Sequence, residues 1–152
     1  NTRELLESKK ILRWFVEEGC DINSKNEDFV YTLYDILHKT LDRKIYYEII
    51  YIYLENKFDP NNPYNQSIPN LLFFSIHERY SRITIELILS FGVDRSTKND
   101  EELNALAYAA KLKNMEALEC LLENDLEFSE SSSLKNAIKH SELWSRERNY
   151  LK

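Results

Sequence analysis

The side chains of this chain that could do chemistry are three histidines, two cysteines and several runs of carboxylates. Histidine and cysteine at short spacing would hold zinc. His38, His77 and His140 are far apart, with no cysteine or histidine at ligand spacing, so neither a metal site nor any other cofactor is expected. His77-Glu78 is a neighbouring acid/base pair, but adjacent residues on a helix point in different directions, which makes His77 a surface histidine near a turn. Cys120 could serve as a nucleophile, yet it lies on an apolar helix face between Leu118 and Leu121, where a thiol is buried and inert. The runs Glu27-Asp28 and Asp100-Glu101-Glu102 read as solvated loop residues, with nothing to hold two carboxylates at catalytic separation. Two glycines are too few for a phosphate-cradling loop, and no Gly-x-Ser-x-Gly elbow occurs. No enzyme is expected. A small enzyme hidden in a helical scaffold would instead show a pocket gathering His77, Glu78 and a third ionisable group.

The elements that position these residues recur. Four apolar runs, beginning at Ile11, Ile49, Thr84 and Ala117, close on the acidic markers Asp21, Asp59, Asp94 and Glu127, at spacings of 38, 35 and 33 residues. A period in that range means stacked supersecondary units. The fourth unit is the clearest. In it Leu106, Ala109 and Ala110 share one face of a short helix after Asn104, and Lys111 to Asn114 break the run. A second helix from Met115 to about Glu123 carries Leu118, Leu121 and Leu122 on one stripe, beside Ala117 and Cys120. Helices are expected near Thr32 to Lys39 and Ile45 to Leu54, with four inserted residues, Leu41 to Lys44, between them. Leu72 to Ile76 form the first helix of unit three, with Ser75 its one small residue. Pro60 to Pro69 read as an irregular loop, since proline cannot donate to a ladder. Gly19 and Gly92 suit positions just past a helix end that need positive φ, and Lys57 and Asp125 in their place would reshape those corners. Leu5-Leu6, among Arg3, Glu4 and Glu7, read as the remnant of a first helix in unit one.

Asn104-Ala105-Leu106-Ala107-Tyr108-Ala109-Ala110, with Leu121 and Leu122 further on, resembles the Leu-x-x-Ala-Ala and apolar-helix portions of the ankyrin repeat. Glu18-Gly19-Cys20-Asp21-Ile22-Asn23 is similar to that family's Gly-Ala-Asp-x-Asn tail, and Phe91 to Asp94 and Asn56 to Asn61 repeat it in phase. The family's Thr, Pro, His and Gly positions are not matched in unit four. The resemblance covers about residues 10 to 128 and implies an all-α, ankyrin-like solenoid of one domain. Its units lie near 1–28, 29–66, 67–99 and 100–130, closed by a capping helix over 131–152. There Ser129 to Ser133 offer N-cap hydroxyls, and Leu134, Ala137, Ile138, Leu143 and Trp144 an apolar face.

The resemblance also implies the site. Ankyrin contacts come from finger tips and from the ends of first helices. Here those positions are Glu27, Asp28, Val30, His38 and Lys39, then Asn65, Gln66, His77 and Glu78, then Asp100, Glu101, Leu103, Lys111 and Leu112. The finger row is acidic, so the expected partner is a protein with a basic patch, bound by a monomer. Narrower alternatives are an adaptor or effector module and a stand-alone inhibitor covering a basic site on a toxin or enzyme. A structural spacer would show no patch at all.

Composition agrees. The chain has 152 residues, 43% hydrophobic and 30% charged, enough for one packed domain. Its net charge is −6 and it has no basic run, which argues against nucleic acid and anionic membrane as partners. Cys20 and Cys120 fall about three units apart and read as free buried thiols suited to a reducing compartment, the cytoplasm. Tyr46, Tyr47, Tyr51 and Tyr53, after Tyr31 and Tyr34, read as packing residues, with Tyr47, Tyr51 and Leu54 at the spacing of one buried face. No signal-peptide pattern is expected at the start of the chain.

Overall fold

The computed structural model describes residues 2–124. The expected cap over 131–152, the marker Glu127, Asp125 and His140 lie outside them. The described residues form seven α-helices and no strand: α1 Thr2–Glu17, α2 Thr32–Lys39, α3 Tyr46–Glu55, α4 Leu71–His77, α5 Arg82–Ser90, α6 Ala105–Lys111 and α7 Met115–Asn124, with a 3-10 turn at Arg43–Ile45 before α3. The chain is all-α in its described part.

The helices pack as pairs in sequence: α2 on α3, α4 on α5 and α6 on α7. The second helices then form a row, α1 against α3, α3 against α5 and α5 against α7, while α4 lies against α6. One core runs through the stack, from Leu33, Tyr34 and Leu37 through Ile50, Phe73, Phe74 and Ile76 to Leu106, Ala109, Leu118 and Leu121. Alanines in α6 and Ser75 in α4 let neighbours approach, and Ser75 donates its hydroxyl to the Leu72 carbonyl at 2.7 Å rather than leaving it unpaired.

Helix ends explain the punctuation. Gly19 (φ 80°) and Gly92 (φ 81°) are left-handed, as their positions required, and Lys57 adopts the same conformation (φ 76°). The corner at Lys57 is therefore kept rather than reshaped. Lys57 N donates to the Leu54 carbonyl and Phe58 N to Tyr53, just as Gly19 and Cys20 donate to Val16 and Phe15. This paired closure satisfies the last carbonyls of a helix, at a backbone cost of about 1 kcal/mol for a residue with a Cβ. Within pairs, Arg79 and Lys113 (both φ 57°) close α4 and α6 in the same way. The inserted residues give α2 another exit: Thr40 is extended, and Asp42 accepts from Lys44 N to start the 3-10 turn.

The acidic markers have a mechanical role. The Asp21, Asp59 and Asp94 carboxylates accept from the backbone N–H two residues on, at Asn23, Asn61 and Ser96. Asn23 and Asn61 then reach the next unit, where their Oδ1 atoms accept from Asp59 N at 2.9 Å and Asp94 N at 2.7 Å. A short Asp-x-Asn motif thus clamps the first unit to the second and the second to the third.

Several sequence expectations are corrected. Residues 2–17 are one continuous helix, so Leu5-Leu6 are part of α1 and not a separate first helix. Cys20 is exposed, and only Cys120 is buried. Leu122 is 39% exposed, leaving Ala117, Leu118, Cys120 and Leu121 as the buried face of α7. Tyr47 and Tyr51 stack on each other, with Tyr51 exposed, while Ile49, Ile50, Tyr53 and Leu54 take the interior.

Candidate functional site

Three loops before the helix pairs are clasped by an asparagine. Asn26 Oδ1 accepts from Asp28 N and Val30 N, both at 3.0 Å. Asn99 Oδ1 does the same for Glu101 N and Leu103 N, at 3.0 and 3.1 Å. In the middle loop Asn65 Oδ1 accepts from Ile68 N at 2.8 Å. A side-chain carbonyl serves as the turn's acceptor, which is why asparagine recurs there. Phe29 (φ 62°) and Glu102 (φ 61°) are the left-handed residues of the outer two loops.

This geometry places the candidate residues in two rows. Glu27, Asp28, Asn65, Gln66, Asp100 and Glu101 are exposed at the loop tips, while Val30 and Leu103 turn inward and pack against the core. Two tips are tied together: Asp100 N donates to the Gln66 carbonyl at 3.2 Å, and Ser67 Oγ donates to Asp100 Oδ2 at 3.0 Å. Glu101 is paired with Lys111, so its charge is already answered within the chain. Asn99 Nδ2 is buried beneath the tip without a hydrogen-bond partner.

The second row is the ends of α2, α4 and α6. His38 and Lys39 are exposed on the last turn of α2, with Lys39 paired to Asp35 at 3.1 Å. His77 Nδ1 lies 2.9 Å from the Tyr108 hydroxyl, across the α4–α6 contact. Burial holds the Tyr108 phenol above its usual pKa range, and the carboxylates of Glu101, Asp100 and Glu78 add to this. Glu78 and Leu112 contribute their carbonyls rather than their side chains. Arg43 donates to the Glu78 and Arg79 carbonyls at 3.0 and 2.8 Å, and Arg79 donates to Leu112. Arg43 comes from the insertion before α3, and its role was invisible in the sequence because its acceptors belong to another unit.

His77 and Glu78 sit at the end of α4, where His77 Nδ1 meets the Tyr108 hydroxyl and the Glu78 carbonyl accepts from Arg43. Burial raises the pKa of the Cys120 thiol, which keeps it protonated. No group of three potential metal ligands occurs among the described residues. None of the described helices is long and apolar enough to cross a membrane.

Two cavities flank these rows. One, of about 370 Å³, is polar and lined by Arg43, Lys44, Tyr46, Arg79, Tyr80 and Glu116 among others. Its arginines are committed to backbone carbonyls, and the Glu116 carboxylate already accepts from Arg82 N at the start of α5. The other, of about 270 Å³, lies between α1 and α2 and is mostly apolar. Neither the protein-family models nor the curated proteins contain a match to this chain.

Proposed function

We propose that this chain is a divergent ankyrin-like solenoid that binds a partner protein without catalysis, through the row of loop tips and the ends of α2, α4 and α6. The observation that carries the reading is the repeated asparagine clasp. It holds three loops in defined turns and leaves Glu27, Asp28, Gln66, Asp100 and Glu101 exposed at their tips. Ordered loops on a rigid stack bind with little ordering entropy, which suits recognition. The partner carries a basic patch, with Glu27 and Asp28 as its main anchors, because Lys111 already neutralises Glu101.

The test is a pull-down from native extract with the wild-type chain beside a variant in which Glu27, Asp28, Asp100 and Glu101 are all lysine. A protein held by the wild type and lost from the variant supports the reading, and its affinity should fall with added salt. Equal retention by both chains removes the binding site from the loop tips.

A further inference from the structure

The residues inserted between α2 and α3 help to build a basic cavity. Arg43 and Lys44 bring the insertion to the polar cavity of about 370 Å³, Arg79 and Tyr80 the corner between α4 and α5, and Glu116 the first turn of α7. Its walls hold three cations against one carboxylate, in a chain whose net charge is −6. None of the three cations makes an ion pair with a described residue. The carbonyls that accept from Arg43 and Arg79 are neutral, so they fix the two guanidinium groups and leave their charge uncancelled. These bonds use Nη2 alone, and each arginine has further donors on Nε and Nη1. The Glu116 carboxylate is taken up by Arg82 N.

A buried donor opens into the same space. Tyr80 lines the cavity and is 4% exposed. Its ring packs on Tyr46 and Phe74, with centres 4.6 and 6.1 Å apart, but its hydroxyl has no hydrogen-bond partner among the described residues. The Tyr46 hydroxyl, by contrast, donates to the Thr40 carbonyl at 2.7 Å. Among the described residues Asn99 Nδ2 is the one fully enclosed side-chain polar atom without a partner, so the Tyr80 oxygen is open to the cavity it lines. Burial, with Glu78 and Tyr46 adding to it against Arg43, raises the Tyr80 pKa well above its usual range, so the phenol keeps its proton as a hydrogen-bond donor. An acceptor oxygen in the cavity would satisfy it. The surplus of two positive charges matches a dianion. A phosphate monoester carries about −1.5 to −2 at pH 7 and offers three strong acceptor oxygens, whereas a carboxylate carries a single charge. At about 370 Å³ the space lies in the range of roughly 300 to 1,000 Å³ that encloses small molecules, and it leaves room for an organic group beside the phosphate.

We propose that this cavity binds a small-molecule phosphate monoester, its phosphate held by Arg43, Lys44 and Arg79 and accepting from the Tyr80 hydroxyl. Charge-assisted bonds from planar guanidinium forks suit phosphate oxygens, and the organic part of the ligand lies against the tyrosine rings of the wall. The site shares no side chain with the acidic loop tips, so it stands or falls independently of the binding reading above.

The test is titration calorimetry of the full chain with phenyl phosphate, beside benzoate, which keeps the ring but carries one charge. Saturable binding of phenyl phosphate is expected, at least about tenfold tighter than that of benzoate. Tyr80→Phe removes only an oxygen that holds no bond to a described residue, so it should leave the melting curve unshifted and weaken binding about tenfold. Lys44→Glu, at an exposed position outside any ion pair with a described residue, should also fold normally and weaken binding further by setting a like charge beside the ligand. Lys98→Glu, exposed and outside the cavity wall, makes the same change in net charge and should leave binding unchanged. No saturation up to about 1 mM overturns the proposal. Because the full chain is used, an acidic side chain of residues 125–152 already seated in the cavity would give that same result. Benzoate binding as tightly as phenyl phosphate, or unchanged binding by both Tyr80→Phe and Lys44→Glu, overturns it too. So does a phosphotyrosine peptide that binds more than about tenfold tighter than phenyl phosphate, because the ligand is then a phosphorylated protein.

Discussion

In the pair α6–α7, each helix start is held by a side chain. Asn104 accepts from Ala107 N, Asn114 accepts from Ala117 N, and Lys113 closes the corner between them. At the other end of the stack, α2 starts at Tyr31 without a side-chain cap and leaves through an extended Thr40. There α1 shows Ile11, Trp14 and Phe15 to solvent. Both regions have helices with strong apolar faces. They differ in packing: α6 and α7 lie on each other and on α4 and α5, whereas α1 lies on α3. The two regions should therefore respond differently to the same kind of substitution.

The largest difference should come from phenylalanine truncation. Phe74 is 1% exposed and packs on Tyr34, Tyr64 and Tyr80. Phe74→Ala should destabilise the fold by about 3–5 kcal/mol through lost burial and a residual cavity. Phe15→Ala, at a half-exposed position, should change stability by no more than about 0.5 kcal/mol. Urea denaturation of the two variants measures both, and comparable losses would mean that α1 is as fully packed as α4.

Next is Asn114, buried at the α6–α7 corner. Its Oδ1 caps α7, and its Nδ2 donates to the Ile76 carbonyl of the preceding unit at 3.0 Å. Asn114→Ala should cost about 1–3 kcal/mol, because it removes a buried bond between units as well as a cap. Asn104→Ala, which removes only the cap bond to Ala107 N, should cost about 1 kcal/mol. If Asn104→Ala proves the costlier, the bond between units carries less than the geometry implies.

Smaller still are the left-handed corners. A Cβ built on Gly92 meets nothing within 4 Å, so Gly92→Ala tests backbone strain alone and should destabilise by about 1 kcal/mol. Lys57→Gly should stabilise by a similar amount, because Lys57 already holds the glycine conformation (φ 76°). The pair of melting-curve shifts should be opposite in sign. A destabilising Lys57→Gly would show that unfolded-chain entropy outweighs the relieved strain.

The helices of the last three units were legible because each has a compact apolar face bounded by polar breaks. Thr32–Lys39 matches the expected span, and α6 and α7 begin where Asn104 and Met115 suggested. The residues of the loop-tip row were also legible as exposed, since clustered Glu and Asp beside an asparagine turn have nowhere else to go. What escaped the sequence lies between units. Periodicity gives the face of a helix but not which neighbour is present to cover it, so Cys20, Tyr47 and Tyr51 were assigned to the interior. The recurrence of Asp21, Asp59 and Asp94 marked the period, but their role depends on Asn23 and Asn61 reaching backbone N–H groups some 35 residues away. The length of α1 was missed for a related reason: nothing in Leu5-Leu6 separates a first helix from an extension of the second.

The smallest effect concerns the third of those aspartates, where the clamp changes chemistry. Ser96 stands where Asn23 and Asn61 stand in the earlier units, and it gives Asp94 two bonds, from its N–H at 2.9 Å and its hydroxyl at 2.7 Å. The Ser96 hydroxyl and then its backbone N–H hold the Asp94 pKa below the usual 3.8. A folded-state pKa below the unfolded one stabilises the fold above pH 3.8 and is lost as pH falls through the lowered value. Asp94 is almost fully solvated, so screening keeps the contribution small. Ser96→Ala removes the hydroxyl bond and keeps the backbone one. The Asp94 pKa, followed by carboxyl NMR, should rise toward 3.8 without reaching it, and acid unfolding should begin at slightly higher pH. An unmoved pKa would mean that the Ser96 hydroxyl is not needed, the Ser96 backbone N–H and the Thr97 side chain holding it down without it. The serine would then add nothing to the Asp-to-backbone contact that Asn23 and Asn61 already make.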